Sequence, residues 1–163
     1  MTGLTPAWAF TEADRQAMEW ALAEAELALE AEEVPVGAVV VSPLGDVLAR
    51  AGNRRERDRD PTAHAEILAL RQAGQALGQW RLEGCTLYVT VEPCAMCAAA
   101  CVMAQLECVV WGAPDPKAGF AGTVANLLAD PRLNHRVAWR GGLAADAATV
   151  LMARFFAKLR GKG

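Results

Sequence analysis

Three side chains suited to holding a metal ion, and one carboxylate suited to working beside it, stand out in this 163-residue chain. Cys94 and Cys97 lie in Glu92-Pro93-Cys94-Ala95-Met96-Cys97, just ahead of an apolar run. The spacing predicts a helix beginning at Pro93, where a missing N–H costs nothing, with both sulfurs on one face. The positive end of such a helix favours thiolates over thiols. Upstream, Asp60-Pro61 precedes Ile67-Leu68-Ala69-Leu70. That predicts a second helix, with Asp60 as N-cap, Pro61 in the first position and His64 in the first turn. One imidazole and two thiolates form a donor set for Zn2+. Three protein ligands leave the fourth tetrahedral position for water, as in catalytic rather than structural zinc sites. Cys101 lies two turns beyond Cys94, roughly 10 Å along the axis, too far for the same ion. Cys85 and Cys108 read as small core residues in apolar strands.

Glu66 stands two residues from His64, and such positions do not face each other on a helix. It is therefore expected off the metal, as the general base that activates water. His-x-Glu followed by Pro-Cys-x-x-Cys is the signature of zinc-dependent nucleobase deaminases. The resemblance extends further. Asp60 to Ile67 and Val91 to Cys97 are similar to the two hallmark blocks of the bacterial tRNA-specific adenosine deaminases. So are Val34-Pro35-Val36-Gly37-Ala38, Gly112-Ala113-Pro114-Asp115-Pro116-Lys117 and Asn134-His135-Arg136-Val137, in the family's order, from about Ala17 to Arg160.

That resemblance implies a cytidine-deaminase-like fold and one zinc-dependent deaminase domain over residues 1–163. It also implies hydrolytic conversion of adenosine to inosine at the first anticodon position of tRNA, a C–N hydrolase reaction. Glu66 would be the catalytic residue; His64, Cys94 and Cys97 would hold one zinc per subunit. Val36 and Asn53 would line the base pocket, with the Ala65 backbone beside the base. Asp115, Lys117 and the basic last helix, including Phe156 and Arg160, would meet the flanking nucleotides. The family is homodimeric, so a homodimer with active sites near its interface is expected. Two departures bear on RNA contacts: Arg55 stands where the family commonly has proline, and Phe120 adds bulk in Ala118-Gly119-Phe120-Ala121-Gly122-Thr123.

The elements that must position these residues follow from periodicity. Thr11 to Glu33 reads as an amphipathic helix with Met18, Ala21, Leu22, Ala25, Ala28 and Leu29 inward and Glu19, Glu26, Glu30 and Glu33 elsewhere. Val36–Val41 and Val47–Ala51 flank a Pro/Gly turn and predict a hairpin. The polar stretch from Asn53 to Arg59 reads as a loop. Cys85–Val91, Glu107–Gly112 and Arg136–Arg140 complete five strands, and the helix between the third and fourth implies a parallel pair. A last helix runs from beyond Gly141-Gly142 to about Arg160, with Ala148, Leu151, Phe155 and Leu159 as its buried stripe. The expected architecture is a three-layer α/β/α domain with a mixed five-stranded sheet. Ligand sites in such sheets gather beyond the carboxyl ends of strands.

Composition sets the remaining bounds. At 53% apolar residues the chain can bury a core, and no run reaches the ~18 apolar residues of a membrane span. The N-terminus lacks the pattern of a secretory signal. Five cysteines, two in a ligand-like pair, fit the reducing cytoplasm. The net charge of −3 is unevenly spread, with +6 from Arg132 onward and −9 before it. A local basic face suffices for phosphates; an ordinary solvated helix end would carry the same charges. Two competing functions remain. A deaminase of a free base or nucleotide, such as guanine or cytosine, would share the zinc chemistry without an RNA surface. A non-enzymatic zinc or thiol redox module would use Cys-x-x-Cys but leave His64 and Glu66 unexplained. His135, the only other histidine, reads as a strand-edge or RNA-facing residue.

Overall fold

The computed structural model describes residues 4–162. Five strands form one mixed sheet in the order β2-β1-β3-β4-β5. β1 (Gly37–Val41) and β2 (Val47–Gly52) form the expected antiparallel hairpin. β3 (Thr86–Val91) pairs antiparallel with β1 and parallel with β4 (Cys108–Ala113). β5 (Ala138–Gly141) joins β4 in parallel at the far edge.

Side chains alternate along each strand, and here both faces are apolar. Val39, Tyr88 and Val110 meet Met18 and Ala21 of α1 (Glu12–Glu30). Ala38, Val40, Leu87, Val89 and Val109 pack with Ala65, Ala69 and Ala73 of α2 (Ala65–Leu77) and with Ala98 and Cys101 of α3 (Ala95–Met103). Near α1's C-terminal end, Leu29 packs with Leu151 of α4 (Ala145–Gly161). The sheet is thus sandwiched between α1/α4 and α2/α3, the three-layer arrangement expected. α1 lies so close to β1 that a Cβ at Gly37 would overlap the Ala21 carbonyl oxygen and come within 2.6 Å of the Ala25 nitrogen. Among the described residues, no helix is long and apolar enough to cross a membrane.

Both helices that carry the expected metal ligands start later than the proline rule predicts. α2 begins at Ala65 with His64 as N-cap, and α3 at Ala95 with Cys94 as N-cap. Asp60 spends its carboxylate on a local turn instead, accepting the Thr62 N–H at 2.8 Å and the Thr62 hydroxyl at 2.7 Å. His64 and Cys94 keep extended backbones, and neither side chain makes a capping bond. Two other expectations fail. Leu159 is half exposed, and Glu33 is buried at 1% exposure rather than solvated.

The α1 start is locked by a capping box in which Thr11 and Asp14 exchange hydrogen bonds at 2.9 and 3.1 Å. Buried Asp14 also accepts two N–H groups of Arg140, at 2.7 and 3.1 Å, and the Tyr88 hydroxyl at 2.7 Å. Burial opposes ionisation of Asp14, yet Arg140 and the other donors hold its carboxyl well below the usual carboxylate range. A depressed carboxyl pKa stabilises the fold above the unfolded value of about 4 and loses that contribution as pH falls through the folded value. Arg140→Ala should therefore cost about 3 kcal/mol in denaturant unfolding at neutral pH, by leaving Asp14 buried and unpaired. Its deficit relative to the native chain should shrink on acidification.

Candidate active site

Cys94 leaves the sheet just beyond the carboxyl end of β3 and opens α3, while His64 opens α2 on the same side of the sheet. The Sγ atoms of Cys94 and Cys97 lie 3.6 and 3.5 Å from His64 Nδ1. All three donor atoms fall within 4.8 Å of one another. Zn–S bonds of about 2.3 Å and a Zn–N bond of about 2.0 Å at tetrahedral angles separate sulfur from nitrogen by about 3.5 Å. The spacing therefore matches a metal-binding cluster without rearrangement. Cys97 is fully buried, and His64 and Cys94 are partly so. Cys101, also fully buried, stays outside the cluster, as its position along the helix requires.

The electrostatics of the cluster favour a cation. A hydrogen bond from Cys97, aided by His64 and opposed by burial, pulls the Cys94 thiol down to about 4. Cys97 is pushed up by that same thiolate and by burial, and a metal bound to both sulfurs would displace its proton. The hydrogen bond with Cys94 raises His64. Glu66 is 3% exposed, and burial pushes its carboxyl up to about 7. Its Oε1 is the only buried side-chain nitrogen or oxygen among the described residues without a hydrogen-bond partner. An orphaned carboxylate oxygen beside an imidazole–dithiolate triangle fits a metal that brings its own water.

A cavity of about 180 Å³ opens over this cluster, below the roughly 300–1,000 Å³ of drug-sized sites and suited to a single base. Of the residues expected at the substrate, Val36, Asn53, Ala65 and Asp115 line it, together with His64, Glu66 and Cys94. Lys117, Phe156 and Arg160 do not. Lys117 lies in a turn where Asp115 Oδ1 accepts its backbone N–H at 3.0 Å. Phe156 lines a neighbouring groove of about 790 Å³ between α4, the end of α1 and the 53–60 loop. Arg160, on the last turn of α4, lines neither. Cavity and groove share Val34 and Arg55 at their junction. α4 also sends Met152 into the cavity, which its periodicity did not announce.

The cavity walls are held by two acids that the sequence disguises. Glu33 accepts the backbone N–H groups of Glu56 at 2.7 Å and Arg57 at 3.2 Å, fixing the loop that carries Asn53 and Arg55. Asn53 is itself buried, and its Oδ1 accepts the Arg55 N–H at 2.9 Å, leaving its amide N–H groups for a ligand. Glu92 holds the opposite wall through four donors of residues 115–123. An acid wedged into the apolar run before Pro93 was the available signal for Glu92. The basic tail is more committed than its charge count implies. Arg132, Arg140, Arg154 and Lys162 pair with Asp130, Asp14, Glu26 and Glu32. Of the seven cations there, Arg136, Lys158 and Arg160 make no ion pair among the described residues. His135 places Nε2 2.8 Å from the Leu106 carbonyl oxygen, at the sheet rather than at the cluster.

Residues 12–160 match the family model of the MafB19-like deaminases. The tRNA-specific adenosine deaminase of Bacillus subtilis is 48% identical over 149 residues, covering 91% of this chain and 92% of that protein. That of Aquifex aeolicus is 47% identical, covering 86% and 91%. A solved structure from a study of A-to-I editing by tRNA:A34 deaminases at the wobble position superimposes with a TM-score of 0.80, at 46% identity, over 83% of this chain and 98% of that one. A guanine deaminase of Bacillus subtilis is more distant, with a TM-score of 0.62 and 27% identity over 89% and 94%. The fold thus recurs in relatives matched along nearly their whole length, and the chain belongs to the tRNA-specific adenosine deaminase family.

Proposed function

We propose that the chain converts adenosine to inosine by hydrolysis at the first anticodon position of tRNA. The observation that carries this reading is the orphaned Glu66 carboxylate beside the His64–Cys94–Cys97 triangle, in a cavity sized for one base. Those three residues would hold Zn2+, as a single cofactor per subunit. A bound zinc ion supplies a Lewis acid that makes water a nucleophile near neutral pH.

The remaining chemistry belongs to the chain. Glu66 takes one water proton on its carboxylate and delivers it to the ring nitrogen, then carries the second, from the new C6 hydroxyl, to the amino group, which leaves as ammonia. Water attacks C6 of adenine, and the C–N bond to the amino group breaks. Val36 and the Ala65 backbone flank the base, and the Asn53 amide donates to its edge. Asp115 stands on the rim, where a neighbouring nucleotide enters. The target base must be unstacked, which an anticodon loop allows. Phe156 and Lys158, in the groove that joins the cavity at Arg55, offer stacking and charge to the flanking strand. Lys117 and Arg160 stand further out, as contacts to more distant phosphates.

A homodimer is supported by an apolar face across α2 and α3, where Ile67 and Leu70 adjoin Trp80 and Met103. Trp80 and Met103 are 63% and 75% exposed, more than such residues usually are without a partner. We place this activity in one zinc-dependent domain in the cytoplasm, where the five free cysteines stay reduced.

The test is incubation with a tRNA hairpin bearing adenosine at the first anticodon position, beside free adenosine, guanine and cytosine. Inosine at that position with inert monomers, from a species of twice the chain mass by light scattering, is the expected result. Turnover of a free base with untouched RNA would move the protein to the second reading, a free-base deaminase.

A further inference from the structure

The mechanism leaves one buried carboxylate unused. Glu92, 3% exposed, lies between the end of β3 and the Pro93-Cys94 turn. Its Oε1 accepts the Asp115 N–H at 3.1 Å and the Thr123 hydroxyl. Its Oε2 accepts the N–H groups of Ala121 at 3.1 Å and Thr123 at 3.0 Å. Every donor comes from residues 115–123, and none of the ion pairs among the described residues includes Glu92. The charge is met by oriented N–H and O–H dipoles alone.

The surroundings are shaped to this arrangement. A Cβ on Gly119 would overlap the Glu92 carboxyl group, so glycine is required where the loop passes over it. Phe120 donates its N–H to the Pro93 carbonyl at 2.9 Å, and the Trp111 indole donates to the Ala121 carbonyl at 3.2 Å. The loop so held carries Asp115 and Ala118 onto the cavity, which Glu92 also lines. Cys94, two residues beyond Glu92, belongs to the metal-binding cluster.

We infer that Glu92 is a positioning residue that clamps the 115–123 loop as a preformed substrate wall, in fixed register with the metal turn. The inference rests on the proposed function only for the identity of the substrate. Opening the loop strips a buried carboxylate of its donors, which is unfavourable, so the wall stands before substrate arrives. Without the clamp, binding must also order the loop, and apparent affinity falls by the fraction of molecules that are closed. Chemistry at Glu66, once substrate is bound, is little altered. A clamp therefore predicts a change in KM rather than in kcat.

The experiment is Glu92→Gln in the full-length chain, which sets an NH2 group against N–H donors. Expected are amide exchange at Ala121 and Thr123 faster by about 10- to 100-fold, and a KM for the hairpin raised by the inverse of the fraction of variant molecules that stay closed. The kcat should stay within about threefold, and the metal content should not change. Thr123→Val, which removes the hydroxyl donor alone, should move both readouts the same way by less, and it decides the matter if Glu92→Gln does not fold. Unchanged amide protection, a fall in kcat at constant KM, or loss of metal would each overturn the inference. If the native chain leaves the hairpin untouched, the proposed function falls, and the exchange rates alone decide whether the clamp stands.

Discussion

Glu66→Ala leaves the protein folded and metal-bound but lowers kcat by about 10⁴-fold, the upper range for loss of a general acid–base group. Glu66 faces the cluster from inside the first turn of α2, two residues after His64, yet it is not among the grouped donor atoms. On the proposed mechanism, removing it deletes the proton carrier without deleting a ligand. Metal analysis separates the alternatives: full occupancy with no turnover supports a general base, whereas loss of metal would make Glu66 a ligand. Stability provides a second check. Its Oε1 is buried without a partner, and such a group is unfavourable in the folded state. The metal-free variant should unfold at no lower temperature than the metal-free native chain. Active sites store this kind of strain because function requires it.

Cys97→Ala has the larger effect on the protein as a whole. Cys97 is fully buried, 3.5 Å from the His64 ring nitrogen, and its loss leaves two donors where three are needed. Metal content should fall to background, with activity below about one thousandth of native. Because metal binding is coupled to folding, a chelator should lower the melting temperature of the native chain and leave that of the variant unmoved. Cys101→Ala is the control. Cys101 is equally buried on the same helix, and burial pushes its thiol up. That substitution should retain metal and turnover. A Cys97→Ala protein that still holds stoichiometric metal and works would remove the cluster from the mechanism.

Much of the fold and of the candidate site is legible in the order of residues along the chain. The five strands, their mixed pairing and the grouped donors His64, Cys94 and Cys97 follow from local signals: two-residue periodicity, turn residues, and donors placed near helix starts. Val36, Ala65 and Asp115 reach the cavity because a motif block fixes the path of its own backbone, whereas the loop that carries Asn53 is fixed by Glu33, more than twenty residues away. The offset at both helix starts shows the limit of a local rule. Proline is allowed in a first turn but does not compel it, and Asp60 finds a closer partner in Thr62.

The amino-acid sequence by itself determined the chemistry: which side chains can hold a metal, which carboxylate stands beside it, and which elements carry them. Only the tertiary structure decided how the remaining charges are used. Glu33 and Glu92 look like surface acids in the chain, yet they are buried because backbone N–H groups 23 to 31 residues away converge on them. Four of the seven cations after residue 131 are drawn into ion pairs with acids, three of them more than a hundred residues distant. Periodicity reports which face of an element is apolar. Whether a charged group on another face meets solvent or a ring of donors depends on what folds over it, and that is set by distant segments.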